Sequence, residues 1–198
     1  MKTNNGVKKI ILASASVARK QILEQAGFSV IVKPTDAFEG NDVKHPEEMV
    51  RHLAQHKLDI FKKQTSNWNE LLVPVITADT IVLCREGILG KPEGEDSAKQ
   101  MLQKLSGSTH SVFTGFSILL PGITESVSGF EAADVSFFSL SSAYIDNYLK
   151  TNEWKNAAGA YKVQGEGLRL ISSIKGSYFT IAGLPIHQIS GILREQGF

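Results

Sequence analysis

The chain predicts an α/β fold: a mixed, partly antiparallel twisted sheet flanked by helices. Three observations carry that prediction. Apolar strand-like runs alternate with helix-period segments along the whole length, and two pairs of strand runs are joined by turns too short for a crossover. No repeat, low-complexity tract or linker interrupts the pattern, so one domain spanning residues 1–198 is the simplest organisation. Residues 8–13 form the first strand. Residues 17–26 form a helix stopped by Gly27, a residue favoured just past a helix end. Residues 28–32 make a second strand. Pro46 opens a longer helix, with Glu47 and Glu48 in its first turn and Lys62 and Lys63 near its end, as the helix dipole favours. Residues 73–83 make the central strand, and a Glu86-Gly87 turn leads to a short apolar return. Glu95 and Asp96 open a helix with Ala98, Met101, Leu102 and Leu105 on one face, ended by Gly107. Residues 111–120 and 126–138 are long strand runs either side of Pro121-Gly122, read as an antiparallel pair. A helix over 142–149, a strand over 168–174 and a closing helix over 184–195 complete the order.

Composition bounds the function. At 198 residues the chain can bury one substantial core, and 42% hydrophobic with 21% charged residues is ordinary for a soluble globular protein. A formal net charge of +1 offers no broad attraction to nucleic acid or membrane, so an anionic ligand must be met by a few local cations. The lone cysteine, Cys84, excludes an intramolecular disulfide and a thiolate metal cage. Lys8 and Lys9 before a short apolar run imitate a signal peptide, but the run falls short of the ~7–15 residues such a region needs. No stretch approaches the ~20 apolar residues of a membrane span. A cytoplasmic protein is expected.

The stretch 73–92 is the most informative. Asp79 is a carboxylate inside an apolar strand run, costly unless a cation, metal or hydrogen bond meets it. Gly90-Lys91-Pro92 follows on the return leg of the same hairpin. Either Asp79 and Lys91 form a structural pair, or they meet over one ligand. At the first helix, Ser16 is a candidate N-cap, and Arg19 and Lys20 occupy an opening turn that normally prefers acidic residues. An anion held there by the helix N-terminus, serine hydroxyls and Arg19 would account for the inversion; cations turned to water would account for it too. Gly-x-x-x-x-Gly-Lys-Ser/Thr is absent, so this is no Walker loop. Glu39 reads as an ordinary loop carboxylate, and Lys57 as a solvated helix residue. His52 and His56 have a metal-ligand spacing, yet no third ligand is evident and a solvent-facing pair is expected. Gln164-Gly165-Glu166-Gly167 could let backbone approach a ligand closely, and Gly183-Leu184-Pro185 reads as a structural turn.

Taken in order, these pieces resemble a known family. Leu-Ala-Ser-x-Ser-x-x-Arg opens the chain, Leu-Ala-x-x-Lys lies in the second helix, and Ala-Asp-Thr precedes Gly-Lys-Pro. Leu-Ser-Gly-x-Thr-His stands at 105–110, Thr-Gly at 114–115, Ala-Gly-Ala-Tyr at 158–161, Gln-Gly-x-Gly at 164–167 and Gly-Leu-Pro at 183–185. The set resembles the Maf family of nucleoside triphosphate pyrophosphatases, once described as septum-formation inhibitors, over residues 10–188. The resemblance implies an architecture like that of the inosine triphosphate pyrophosphatases and a homodimer. It implies a Mg²⁺- or Mn²⁺-dependent reaction in which a nucleoside triphosphate and water give the monophosphate and pyrophosphate. Asp79 would be the proton acceptor for the attacking water and, with Glu39, a metal ligand. Arg19, Lys57 and Lys91 would hold the phosphates, and Ser14 would bond a phosphate oxygen. Attack at the α-phosphorus of a tetra-anion needs such charge neutralisation.

The chain departs from the family pattern at several positions. Val17 and Ala18 stand where Pro-Arg is usual, leaving Arg19 alone, and the replaced arginine is linked in the family to base preference. Phe38-Glu39 replaces an acidic pair, and Ala157 a common lysine. Thr80 and Gln164 match the branch acting on dTTP and UTP, whereas the branch acting on 7-methyl-GTP tends to carry Gln and Glu there. With Ala18 these are the three specificity positions, and two favour pyrimidines. Beside the same chemistry on 7-methyl-GTP or another modified base, the rival readings are a non-catalytic nucleotide-binding regulator of septation, an aspartyl-phosphate phosphatase, and a nucleic-acid-binding module. The second lacks its second aspartate, since residue 81 is Ile81; the third lacks a basic stripe.

Overall fold

In a computed structural model of the chain, residues 8–35 and 45–198 are described. Their strands are β1 (Lys9–Leu12), β2 (Ser29–Val32), β3 (Val75–Cys84), β4 (Gly87–Leu89), β5 (Thr109–Leu119), β6 (Val127–Phe137) and β7 (Ile171–Lys175). The helices are α1 (Val17–Gln25), α2 (Pro46–Gln64), α3 (Glu95–Leu105), α4 (Ser142–Leu149), α5 (Tyr178–Ile181) and α6 (Ile186–Glu195). The sheet runs β2-β1-β3-β5-β6-β7, with β4 paired to β3 off that path. β1 is parallel to β2 and β3, whereas β3–β4 and β6–β7 are antiparallel, so the sheet is mixed as expected. Cross-strand bonds join Ser117 to Ser128, Ser111 to Asp134 and Thr109 to Ser136. Residue numbers climb on one strand as they fall on the other, which makes β5 and β6 the expected antiparallel pair.

The chain divides into two compact units, Met1–Asp79 with Gly115–Phe130 and Gly183–Phe198, and Thr80–Thr114 with Glu131–Ala182. In the first, Leu58 and Phe61 on α2 pack with Ile11, Ala13, Val75 and Leu119. Each of the larger side chains, fully buried, contributes about 1.5–3 kcal/mol. Gly115 on β5 is where α2 comes closest: a Cβ there would lie 2.2 Å from the Val50 carbonyl oxygen. Only glycine admits that approach. In the second unit, Ala98, Leu102 and Leu105 of α3 and Ile145, Tyr148 and Leu149 of α4 pack with Val82, Val112, Val135 and Phe137.

Most predicted elements fall within two residues of their places, and Gly27 ends α1 at φ +90° as a left-handed cap residue. The strand expected over 168–174 is corrected. Gly165–Leu170 winds as a 3-10 turn and only Ile171–Lys175 is extended. The Glu153 carboxylate causes this by accepting the Glu166 and Gly167 N–H groups, each at 3.1 Å. The closing helix begins two residues late, at Ile186, because Pro185 sits at its N-cap with ψ 70°. The short α5 carries no apolar period and was not predicted.

Candidate active site

The first unit holds the central pair. Lys57 Nζ lies 2.5 Å from Asp79 Oδ1, with the two side chains only 12% and 8% exposed. The expectation of a solvated lysine at 57 is therefore corrected. Tertiary packing turns Lys57 inward, and one observation explains how. Thr77 Oγ1 donates to the Ala54 carbonyl at 2.8 Å. Thr77 and Asp79 are two apart on a strand and share a face; Ala54 and Lys57 are three apart on a helix and share one also. Hydroxyl-to-carbonyl bond and ion pair thus run along the same seam between β3 and α2, and Gly115 lets that seam close.

The start of α1 forms a second cluster in this unit. Ser16 caps the helix, its Oγ accepting the Arg19 N–H at 3.3 Å. Arg19 is buried, its Nε donating to the Gly183 carbonyl at 2.8 Å and its Nη1 to Ser14 Oγ at 3.1 Å. Ser14 Oγ also accepts the Ser16 N–H at 3.2 Å. With both lone pairs so engaged, the Ser14 hydroxyl has its hydrogen to offer, which suits an anionic oxygen. Lys20 instead pairs with Glu24 at 3.4 Å on the exposed surface, so the two cations of the opening turn have different roles. Ala18 is half-buried on the same helix. Gly183, expected to be a plain turn residue, supplies the carbonyl that orients Arg19. Glu39 lies outside the described residues.

The second unit carries Thr80, Lys91 and Gln164. Thr114 Oγ1 lies 2.7 Å from the Thr180 carbonyl oxygen, which can only accept, so Thr114 commits its one hydroxyl hydrogen there. Thr114 must then accept from Thr80, whose Oγ1 is 2.9 Å away. Toward any further partner Thr80 acts only as an acceptor. Thr180 in turn donates its own hydroxyl to Glu131, which closes the chain. Lys91 is exposed just after β4, and Gln164 is half-buried beside Gly165. The glycines beside Gln164 are packed against protein on the side where a Cβ would point. A Cβ on Gly165 would meet Glu153 Oε1 at 2.4 Å, and one on Gly167 the Lys162 carbonyl at 1.9 Å.

His52 is exposed and His56 half-buried, their rings stacked 6.4 Å apart. Among the described residues no group of three His, Cys, Asp or Glu could hold a metal ion by itself, and no helix is long and apolar enough to cross a membrane. Sequence reasoning gave no role to Thr77, to the Thr114 hydroxyl within the Thr-Gly motif, or to the Gly183 carbonyl. A signal existed for the first two: both are hydroxyl residues inside apolar strand runs, and Thr77 lies two positions from Asp79 on the same strand face.

A mixed α/β sheet whose central strand carries a buried acid paired to a helix lysine, with a buried arginine at a helix start, defines the structural class. Comparison with known proteins narrows the class: residues 9–196 match the family model "Maf-like protein", and the chain belongs to the Maf family. The "dTTP/UTP pyrophosphatase" of Clostridioides difficile (strain 630) is 42% identical over 190 residues, covering 94% of each chain. The protein of the same name from Bacillus cereus (strain ATCC 10987 / NRS 248) is 38% identical over 196 residues, 98% of this chain and 93% of its own. The solved Ham1 protein of Staphylococcus aureus matches more distantly, at 15% identity over 66% of this chain and 72% of its own, with a TM-score of 0.45. That likeness is too low to carry the fold.

Proposed function

We propose that this protein is a divalent-metal-dependent nucleoside triphosphate pyrophosphatase that converts dTTP and UTP to the monophosphate and pyrophosphate, with modified nucleotides as further substrates. The observation that carries the reading is the Lys57–Asp79 pair, an acid and a cation nearly closed to water on adjoining elements. The names of the relatives at 38–42% identity support the substrate. The family resemblance adds a homodimer in the cytoplasm.

Asp79 takes the proton of the attacking water. In the absence of substrate its charge is balanced by Lys57; an arriving triphosphate offers that ammonium a second, more highly charged partner, and the exchange leaves the carboxylate to act as base. Arg19, fixed by Gly183 and Ser14, and Lys91 neutralise charge on the phosphates, and the Ser14 hydrogen bonds a phosphate oxygen. A hard cation takes oxygen donors, typically one or two carboxylates completed by the substrate's own oxygens. Asp79 and Glu39 would be a donor set of that kind. Bound Mg²⁺ or Mn²⁺ would supply charge neutralisation at the reacting phosphates.

Thr80 bears on the base. Uracil and thymine present an N3–H donor where cytosine presents an N3 acceptor, and an acceptor-only hydroxyl suits the former. The test is a panel of UTP, dTTP, CTP, 7-methyl-GTP and modified triphosphates with Mg²⁺, Mn²⁺ or chelator, with products identified. UTP and dTTP should exceed CTP by at least about tenfold, the value of one mismatched hydrogen bond. Orthophosphate and diphosphate as products would refute the bond cleavage, and equal rates on CTP and UTP the role of Thr80.

A further inference from the structure

The second unit contains a polar pair that the reaction above does not use. His110 on β5 and Tyr161 are both almost fully buried, with His110 Nε2 2.8 Å from the Tyr161 hydroxyl. Phe137 completes a three-ring cluster in which each pair meets edge-on: His110–Phe137 at 5.0 Å, His110–Tyr161 at 5.5 Å and Phe137–Tyr161 at 4.9 Å between centroids. Such contacts fix ring planes, and the hydrogen bond fixes the tip of Tyr161 as well. The arrangement has a cost, because His110 Nδ1 has no hydrogen-bond partner inside the fold. A phenylalanine at 110 would fill the space without that penalty. As a way of filling a core the pair is poor; as a way of holding Tyr161 in one place it is good.

A second cost lies directly upstream. Gly159 and Ala160 are both left-handed, at φ 69° and 61°. The described non-glycine residues with positive φ are Asn152, Asn156 and Ala160, all within this one loop. Ala160 is the one whose side chain gives no local hydrogen bond in return. Gly159 is also tightly packed, since a Cβ there would lie 3.1 Å from Val82 Cγ2, so an added methyl would press on Val82 as well as strain the left-handed backbone. Such a conformation persists only where the surroundings impose it, and Tyr161 is the anchor on its far side.

What the turn delivers is one hydrogen bond: the Gly159 N–H donates to the Gly90 carbonyl at 3.0 Å. The residue after Gly90 is Lys91, and the next is Pro92. The proline confines the backbone of Lys91 to extended conformations. Gly90 is the remaining pivot, because glycine rotates more readily than any other residue. The bond from Gly159 removes that pivot.

We propose that His110, Tyr161 and the left-handed Gly159-Ala160 turn are positioning residues for Lys91, holding its backbone so that the ammonium meets the phosphates. The inference rests on the phosphate-binding role given to Lys91 above. The experiment is a set of double-mutant cycles on kcat/KM for dTTP: Tyr161→Phe and Gly159→Ala, each alone and with Lys91→Ala, at a temperature where circular dichroism finds every variant folded. Each single positioning variant should lose about tenfold, since small misplacements of a binding group are expensive, yet less than twofold once Lys91 is already alanine. The same loss in both backgrounds would overturn the proposal, because a general structural defect ignores the identity of residue 91. Unchanged kcat/KM in both single variants would overturn it too. An unchanged kcat/KM for Lys91→Ala alone would instead refute the phosphate role of Lys91, and the positioning claim with it. Gly159→Ala keeps the test decisive if Tyr161→Phe does not fold.

Discussion

Replacing Asp79 by asparagine removes one charge from a pair separated by 2.5 Å whose members are 8% and 12% exposed. At an effective dielectric constant of about 20, two unit charges at that distance attract by roughly 7 kcal/mol before desolvation is counted. The net worth of the pair is smaller, but losing one member removes that attraction from a site nearly closed to water. That costs ~3–5 kcal/mol. Asp79→Asn should therefore lower unfolding free energy by that amount without ligand, and Lys57→Met by a similar amount. Combining the two should cost clearly less than the sum, with a coupling of at least about 2 kcal/mol. Urea denaturation at pH 7 of the four proteins gives the cycle. On the chemical side Asp79→Asn should abolish pyrophosphate release, since the amide cannot take a proton, while titration calorimetry still detects nucleotide. The nucleotide supplies the anion that Lys57 has lost, so dTTP should stabilise Asp79→Asn more than it stabilises Lys57→Met. Additive losses below about 1 kcal/mol each would mean the pair is screened by solvent, and turnover by Asp79→Asn would remove it from the chemistry.

Gly115→Ala should destabilise by at least about 3 kcal/mol and lower kcat/KM more than tenfold, because a Cβ 2.2 Å from the Val50 carbonyl forces α2, and Lys57 with it, off the sheet. Gly191→Ala on α6, where a Cβ would meet nothing within 4 Å, should instead gain about 0.5–1 kcal/mol. Equal urea midpoints for the two variants would show that α2 can yield. Burial holds His110 at about 4, well below its ordinary 6.5, despite an opposing pull from Asp134. It stays neutral in the fold while the unfolded chain takes a proton, so its contribution is complete above pH 6.5 and is lost as pH falls toward 4. The loss is about 3 kcal/mol in all. Stability measured from pH 7 to 4 should fall less steeply in His110→Phe, and parallel curves would contradict the assignment.

Much of this was open to reading along the chain. Pro46, the acidic first turn and the basic last turn mark α2, because capping and dipole preferences act over one helical turn and need no knowledge of distant residues. The same locality made the β3–β4 hairpin and the Ser16 cap legible. Asp79 stood out for a related reason: a charge in an apolar strand run demands a partner, whatever the fold. Its partner was not legible. A helix lysine is solvated by default, and only the β3–α2 seam, tied by Thr77 and admitted by Gly115, turns Lys57 toward the acid.

The boundary between the two kinds of knowledge follows sequence separation. By itself the sequence determined the order of elements, the family, and the residue types on which a phosphate chemistry would draw. The tertiary structure decided which of them meet and in what sense: Arg19 against a carbonyl 164 residues away, and the direction of the hydrogen bond from Thr80 to Thr114. It also decided that Glu153 and Lys162 close off the Cβ positions of Gly165 and Gly167. Propensities, caps and turns are local energies written in neighbouring residues. Burial, hydrogen-bond polarity and steric admission depend on chain segments that only folding brings together.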